Sequence, residues 1–346
     1  MKLLSVIIPS YNSEKFLSNC LDSLLIESIL DKIELIVVND GSRDKTSEIA
    51  HQYESKYPEV IKVIDKENGG HGSGINVGLA NSTALYFKVL DSDDKFNKEG
   101  YLHALEIIEE LYKNNKQPDL IFSDYVTVNE NNKSDHKVVH LRAHYKHKEE
   151  IVSMKDFSHL GVDEVFMMHM LFLSTEYTKK IKLEVAEKVF YEDCEYVFKA
   201  VLNAKNAYYL SIPVYEYSVG STTQSISLNN INKNYSHMIN VMKHISDTTP
   251  YSMFEEKEKY QKRIARHHLY LYEILTFFYI YIIPKKEKTL MYKEYLRYYK
   301  KTNKKLYKIV RYQTPMLFVW LLPNFMRGFI TKIGYKIVGK KKGWIF

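Results

Sequence analysis

Three carboxylates stand within four positions in VLDSDDKF, residues 89–96: Asp91, Asp93 and Asp94. Like charges this close push one another toward protonation unless a cation holds them. Their oxygens are hard ligands that suit Mg2+ or Mn2+, ions that keep positions open for water and phosphate. An acidic turn that caps a helix is the plainer reading of the same residues. Position decides between the two. The apolar run YFKVL comes just before, and Asp-x-Asp at the end of a strand can place two carboxylates on one side.

Three other polar motifs carry possible chemistry. KENGGHGSGINVG, residues 66–78, is glycine-rich. It fails the dinucleotide frame, because counting from Gly70 through Gly72 lands on Ile75, and it has no Gly-Lys-Ser/Thr for a P-loop. Its backbone N–H groups can still approach a phosphate; a flexible turn explains it equally well. Asp40, after Val37-Val38-Asn39, can accept from a ribose or a base N–H, or cap the next helix beside Ser42 and Asp44. Pro9 and Tyr11 can wall a planar base, with Tyr supplying a π face. In YEDCEYVF, residues 191–198, Glu192 and Asp193 open a helix. There an acid serves either as a dipole-favoured cap or as a general base at a pocket edge.

These motifs need elements to hold them. Leu3 to Ile8, Glu34 to Val38, Val60 to Ile64 and Leu85 to Leu90 read as buried strands, and helices are expected after each of the first three. Ser13 is the expected N-cap of the first helix. Strand and helix alternating at short spacing predict βαβ units and a parallel sheet. In such sheets ligands bind beyond the carboxyl ends of the strands. Pro9–Asn12, Asn39–Ser42, Asn68–Gly74 and Asp91–Asp94 all fall at those ends, so four motifs are expected to share one crevice. Further on, Leu120 to Phe122 continues the sheet, and Val128 to Glu150 reads as a loop or irregular hairpin. His169 to Leu173, Tyr208 to Leu210 and Val214 to Tyr217 read as short strands. From about Tyr235 the pattern is helical and Tyr-rich.

Bulk properties bound the class. The chain has 346 residues, 45% of them apolar and 26% charged, with 29 Tyr. Two cysteines, Cys20 and Cys194, make no disulfide framework and suit a reducing cytosol. MKLLSVIIPSYN does not read as a signal peptide, since Pro9 breaks its short apolar run and no small-residue cleavage site follows. No stretch has the long uncharged run of a transmembrane helix. The net charge of +7 is uneven: residues 284–346 hold 17 Lys and Arg against 2 acids, leaving 32 basic and 40 acidic residues elsewhere. A basic tail on a slightly acidic body points to a polyanionic surface, membrane lipid or nucleic acid.

LSVIIPSYN, LIVVNDGSRDKT, ENGGHGSGINVGL, YFKVLDSDD and YEDCEY, in this order and spacing, resemble family 2 glycosyltransferases of the GT-A fold over about residues 3 to 225. The resemblance implies an α/β, Rossmann-like architecture with a mostly parallel central sheet flanked by helices. A catalytic domain would span 1–230 and a helical, basic, aromatic region 231–346. It implies a nucleotide-sugar donor, most often a UDP-sugar, and an inverting hexosyl- or N-acetylhexosaminyl transfer. Pro9, Tyr11 and Asp40 would hold the nucleoside. Asn68 and Gly69 of the glycine loop and Ser92 would also line the donor. Asp91 and Asp93 would be the DxD pair on ribose and on Mn2+ or Mg2+, and Asp193 would match the catalytic base. Two departures stand out. Many members have Ala-Arg-Asn where this chain has Gly74-Ile75-Asn76, and Ser221 stands where an arginine is usual. His71 or a tail Lys is the candidate substitute.

The tail, YLRYYKKTNKKLYKIVRYQTPMLFVWLLPNFMRGFITKIGYKIVGKKKGWIF, interleaves basic and aromatic residues. That suits peripheral attachment to an anionic membrane, with each basic residue near the surface adding about 1 kcal/mol. The same aromatics also suit a helical subdomain packed on the catalytic core or on a second copy. Nucleic acid is the weaker partner, since no recognised binding module is present. The expected location is the inner face of the cell membrane, on the cytoplasmic side. The expected acceptor is a glycan or a lipid-linked one in surface-polysaccharide synthesis. A nucleotidyltransferase and a non-catalytic nucleotide-sugar-binding protein are the alternatives. His136, His140, His144 and His147, in Lys-rich surroundings without Cys, read as surface residues rather than a zinc site.

Overall fold

A computed structural model of the chain describes residues 1–129, 132–140, 149–159, 164–219, 227–283, 285–311, 322–323 and 326–333. Its strands are β1 (Leu4–Ser10), β2 (Ile33–Asp40), β3 (Ile61–Lys66), β4 (Tyr86–Val89), β5 (Lys95–Phe96), β6 (Leu120–Asn129), β7 (Asn132–Val139), β8 (Ile151–Ser153), β9 (Leu171–Ser174) and β10 (Asn206–Val219). They form one sheet in the order β3-β2-β1-β4-β9-β6-β10-β5. β3, β2, β1 and β4 are parallel neighbours, and β6 runs parallel to β10. β9 is antiparallel to both β4 and β6, between which it lies. The expected α/β class with a mostly parallel sheet is borne out. Every residue of β1 is buried, as a strand covered by helices on both faces must be.

Helices Leu17–Leu24, Thr46–Lys56 and His71–Asn81 follow the first three strands. The third lies directly on β1. A Cβ at Gly78 would sit 2.2 Å from Ile7 Cγ2, and one at Gly74 would sit 2.8 Å from Pro9 Cβ. Glycines in this helix therefore serve close packing as well as the loop before it.

Two apolar cores meet at helix Glu192–Asn203. Tyr196, Val197, Ala200 and Val201 join the sheet core. Phe198 and Leu202 join a second core with Met238, Val241, Ile245, Leu269, Phe277 and Tyr292 from the C-terminal helices. Much of the tyrosine excess is spent there. Tyr292 stacks on Tyr295 at 5.8 Å and Tyr295 on Tyr299 at 5.7 Å. The phenols of Tyr292 and Tyr295 donate to the buried Glu273 carboxylate at 2.5 and 2.9 Å. A buried charge held this way is solvated by the protein itself. Tyr292, Tyr295 and Tyr299 thus pack inward, while Tyr298 stays exposed. Among the described residues no helix is long and apolar enough to cross a membrane.

Several local expectations change. Ser13 does not cap the first helix: its hydroxyl meets Ser92 Oγ at 2.7 Å, and Phe16 holds the N-cap position with no side-chain bond. His169 is in a 3-10 turn, Met168–Met170, and the strand begins at Leu171. The two short strands expected around Pro213 are one 14-residue strand, β10. Its pairing with β6 shifts register on both sides of Pro213, so an irregularity absorbs the residue that cannot donate. β7 forms the irregular hairpin with β6.

Because Gly78 has no room over Ile7, Gly78→Ala is expected to cost about 1–3 kcal/mol of stability by overpacking, read from urea unfolding. Wild-type stability in that variant would mean that the helix lies further from β1.

Candidate active site

The parallel strands end together and deliver the polar motifs to one side. β1 ends at Pro9-Ser10, β2 at Asp40, β3 leads into residues 67–70, and β4 leads into Asp91. The loops after β1 and β2 are laced together: Asn12 N donates to Ser42 Oγ at 3.0 Å, and Arg43 N donates to Asn12 Oδ1 at 2.9 Å. Tyr11 stands beside them, 49% exposed, with its ring open to solvent.

Asp40 is buried and committed. Its Oδ1 accepts from Gly69 N at 2.8 Å and from Lys66 Nζ at 2.7 Å, and its Oδ2 accepts from Gly70 N at 2.7 Å. Its carbonyl accepts from Asn68 Nδ2 at 2.9 Å. The glycine loop does turn backbone N–H groups toward an anion; the anion in this structure is Asp40. Gly70 has φ +83°, and a Cβ there would lie 3.1 Å from Lys188 N, so only glycine fits without strain.

The acidic cluster is split by burial. Asp94 is buried; it accepts from Tyr215 OH at 2.7 Å and from Ser218 N at 2.7 Å. Asp93 is exposed and Asp91 half-buried, while the Ser92 hydroxyl is turned to Ser13. Burial, and then the charges of Asp93 and Asp91, push the Asp94 carboxyl well above its ordinary range. That is the mark of a site short of positive charge. Asp91, Asp94 and His169 each present a ligand atom within 4.8 Å of the others, the one such grouping among the described residues. His169 is buried with Nδ1 unbonded, and burial lowers its pKa to about 4, so the imidazole is neutral and able to ligate. Two carboxylates and a neutral imidazole with this charge deficit fit a divalent cation.

His71, a candidate substitute for the missing arginine, bridges two acids here. Its Nε2 lies 2.9 Å from Asp91 Oδ1, and its Nδ1 lies 2.6 Å from Glu192 Oε1. Carboxylates only accept, so both nitrogens donate and the ring is an imidazolium. Burial opposes that charge, but Asp91 and Glu192 outweigh it and hold the pKa well above 6.5. Ile75 packs into the sheet core. Ser221 lies outside the described residues, as do His144 and His147. His136 is exposed, and His140 pairs with Asp124 at 2.7 Å, away from any metal-like grouping.

Glu192 and Asp193 take different environments at one helix start. Glu192 is buried against His71. Asp193 is half-buried; burial, and then the Glu192 charge, raise its pKa to about 7. A carboxyl poised there can take a proton near neutral pH. Tyr217 ties the two sides of the crevice together. Its ring stacks on His169 at 4.4 Å. Burial, then Asp94, Asp91, Asp193 and Asp93, raise its phenol well above its ordinary value. One phenol therefore feels the β4 acids and Asp193 alike. Cavities of 250 and 910 Å3 elsewhere share no residue with this crevice.

Residues 5–171 match the model of glycosyl transferase family 2, and over those residues the chain belongs to that family. It is 31% identical over 218 residues to an uncharacterised glycosyltransferase, MG025, of Mycoplasma genitalium, which covers 61% of this chain and 66% of that protein. It is 38% identical over 107 residues to the minor teichoic acid biosynthesis protein GgaB of Bacillus subtilis, covering 31% of this chain and 12% of GgaB. The chain therefore spans less than two thirds of these curated relatives. A crystal structure of residues 1–349 of S. aureus TarS in complex with UDP-GlcNAc superimposes with a TM-score of 0.63 at 20% identity. That likeness covers 100% of this chain and 93% of TarS 1–349, and it establishes the GT-A type of fold.

Asp40→Asn replaces an acceptor of three donors with a group that presents an N–H to one of them. A loss of about 2 kcal/mol is expected, with faster amide exchange at residues 68–71. Unchanged exchange there would mean that Asp40 does not hold the loop.

Proposed function

We propose that the protein is an inverting glycosyltransferase. It moves a sugar from a UDP-sugar to a hydroxyl of a glycan or lipid-linked acceptor in the synthesis of a bacterial surface polysaccharide. The observation that carries this reading is that His71 bridges the acid cluster after β4 to the Glu192–Asp193 helix start, 2.9 Å from Asp91 and 2.6 Å from Glu192, beside a carboxyl, Asp193, raised to about 7. Family membership supports the class of reaction. The UDP-GlcNAc complex of TarS supports the donor, and the teichoic acid role in GgaB's name supports the product.

In this reading Pro9 and Tyr11 line the nucleoside and Asp40 shapes that pocket through the glycine loop it holds, with Asn68 and Gly69 on the phosphate side and Asp91, Ser92 and Asp93 at the diphosphate. Asp91 and Asp93 would hold Mn2+ or Mg2+. Bound there, the ion supplies positive charge opposite the leaving diphosphate. Asp193 takes the acceptor hydroxyl proton as the oxygen forms its bond to the anomeric carbon. The bond to the phosphate oxygen breaks on the opposite face, and UDP leaves with that electron pair. Displacement from behind turns an α-linked donor into a β-linkage. Residues 1–230 form the catalytic domain and 231–346 the basic helical region.

Asp193→Asn is expected to lower kcat by about 10²–10⁴-fold while UDP still binds. In wild type, kcat/KM should climb with pH through about 7, because the carboxyl must be ionised to accept the proton. A fully active Asp193→Asn variant contradicts the base assignment and favours a non-catalytic or different use of the crevice.

The basic end supports attachment to an anionic membrane surface. In the helix at 326–333, Met326, Phe329, Ile330 and Ile333 are exposed apolar residues, with Phe329 67% exposed. Cosedimentation with vesicles containing phosphatidylglycerol should be strong at low salt and weak at high salt. Protein that stays in the supernatant at low salt contradicts the attachment.

A further inference from the structure

The helix that carries His71 does more than follow the glycine loop. It holds the segment that leads to the proposed base. Asn76 Nδ2 donates to Val185 O at 3.0 Å, and Val185 N donates back to Asn76 Oδ1 at 3.0 Å. Lys188 N donates to Gly69 O at 2.7 Å. A Cβ on Gly72 would lie 2.2 Å from Ala186 O and 3.1 Å from Glu192 Cγ. Segment 185–192 is therefore pinned along one side of this helix, and Asp40 pins the loop at the helix's start. His71 is the point where that assembly touches the β4 acids.

The bridge is asymmetric in a useful way. Glu192 is 4% exposed, and its Oε2 is buried without a partner. The His71 ring is thus the recorded hydrogen-bond partner of the Glu192 carboxylate. On the other side, Asp91 has its Oδ1 on His71 and its backbone N–H on Tyr215 OH at 3.1 Å. The imidazole ring gives a change at Asp91 on ligand binding a direct hydrogen-bonded route to Glu192, and Asp193 is the next residue.

We infer that His71 is a positioning residue that couples occupancy of the donor side at Asp91 to the placement of the Glu192–Asp193 helix start. This rests on the donor and base assignments proposed above. A ring held at both nitrogens fixes two carboxylates at one separation, and so fixes the gap between the donor's diphosphate and the base. Loss of such a support is expected to lower kcat about 10–100-fold by misplacing the base, while UDP still binds. The His71 ring is aimed between two acids instead of at solvent.

The test uses UDP with Mn2+ as the probe and the full chain. Hydrogen exchange is followed on peptides covering 184–200, and UDP affinity by calorimetry, in wild type, His71→Gln and Glu192→Gln. In wild type, UDP and Mn2+ should slow exchange across 184–200. In His71→Gln, UDP should bind within about threefold of wild type, with that slowing lost. Glu192→Gln, which keeps shape and removes the charge, should lose it too, and it serves alone if His71→Gln melts early. Ligand-induced slowing that persists in both folded variants overturns the coupling. So does a UDP affinity that falls more than tenfold in His71→Gln, which would make His71 a donor contact. Failure of the wild type to bind UDP removes the donor assignment itself, and a fully active Asp193→Asn removes the base assignment. Either result is distinct from loss of the coupling alone.

Discussion

Three carboxylates within four residues at the end of β4 create a demand for positive charge, and much of the crevice answers to it. Burial sharpens that demand at Asp94 and raises its pKa, and donors from β10 meet part of it. Asp91 meets it through the His71 imidazolium. Asp93 stays at the surface. Burying like charges together is unfavourable unless something repays it, so such a cluster persists where a cation is to be held. Tyr215 and Tyr217, facing the same acids, extend the arrangement across to β10.

The second constraint is rigidity on the opposite side. Helix Glu192–Asn203 is clamped between two apolar cores, and buried Glu195 ties it to His244 of the C-terminal helices at 2.6 Å and to Ala186 N at 2.9 Å. The C-terminal helices therefore help aim Asp193, whatever else their basic end touches. A carboxyl poised near neutrality can serve as a base only if its position is fixed, and here the fixing comes from packing.

Much of this was legible in the sequence because its signals are local. Four buried apolar runs ending in polar motifs fix a parallel sheet, and period and length alone place Asp40, Asn68–Gly74 and Asp91–Asp94 on one side of it. What could not be read depends on pairs far apart in the chain. Glu192 and His71 are 121 residues apart, and Asp40 reaches Gly69 and Gly70 across about 30. Capping, nucleoside contact and loop clamping all ask for an acid at the end of β2, so residue type could not choose among them. Pro213 looked like a break because a proline cannot donate, yet a register shift carries β10 through it. Ser13 looked like a cap because nothing local shows Ser92 beside it. His169 reads as strand from its apolar neighbours, but it turns inward to the acids, a placement set by β9 running against β4.

The central claim is that the crevice at the carboxyl ends of β1 to β4 holds a nucleoside diphosphate, with its metal on the acids after β4. Diffraction at the manganese edge from crystals grown with UDP and Mn2+ tests this most directly. The account predicts an anomalous peak bridging the diphosphate to Asp91 and Asp93, with uracil beside Tyr11 and Asp40. Uracil and diphosphate bound elsewhere, or a peak away from the β4 acids, would contradict it.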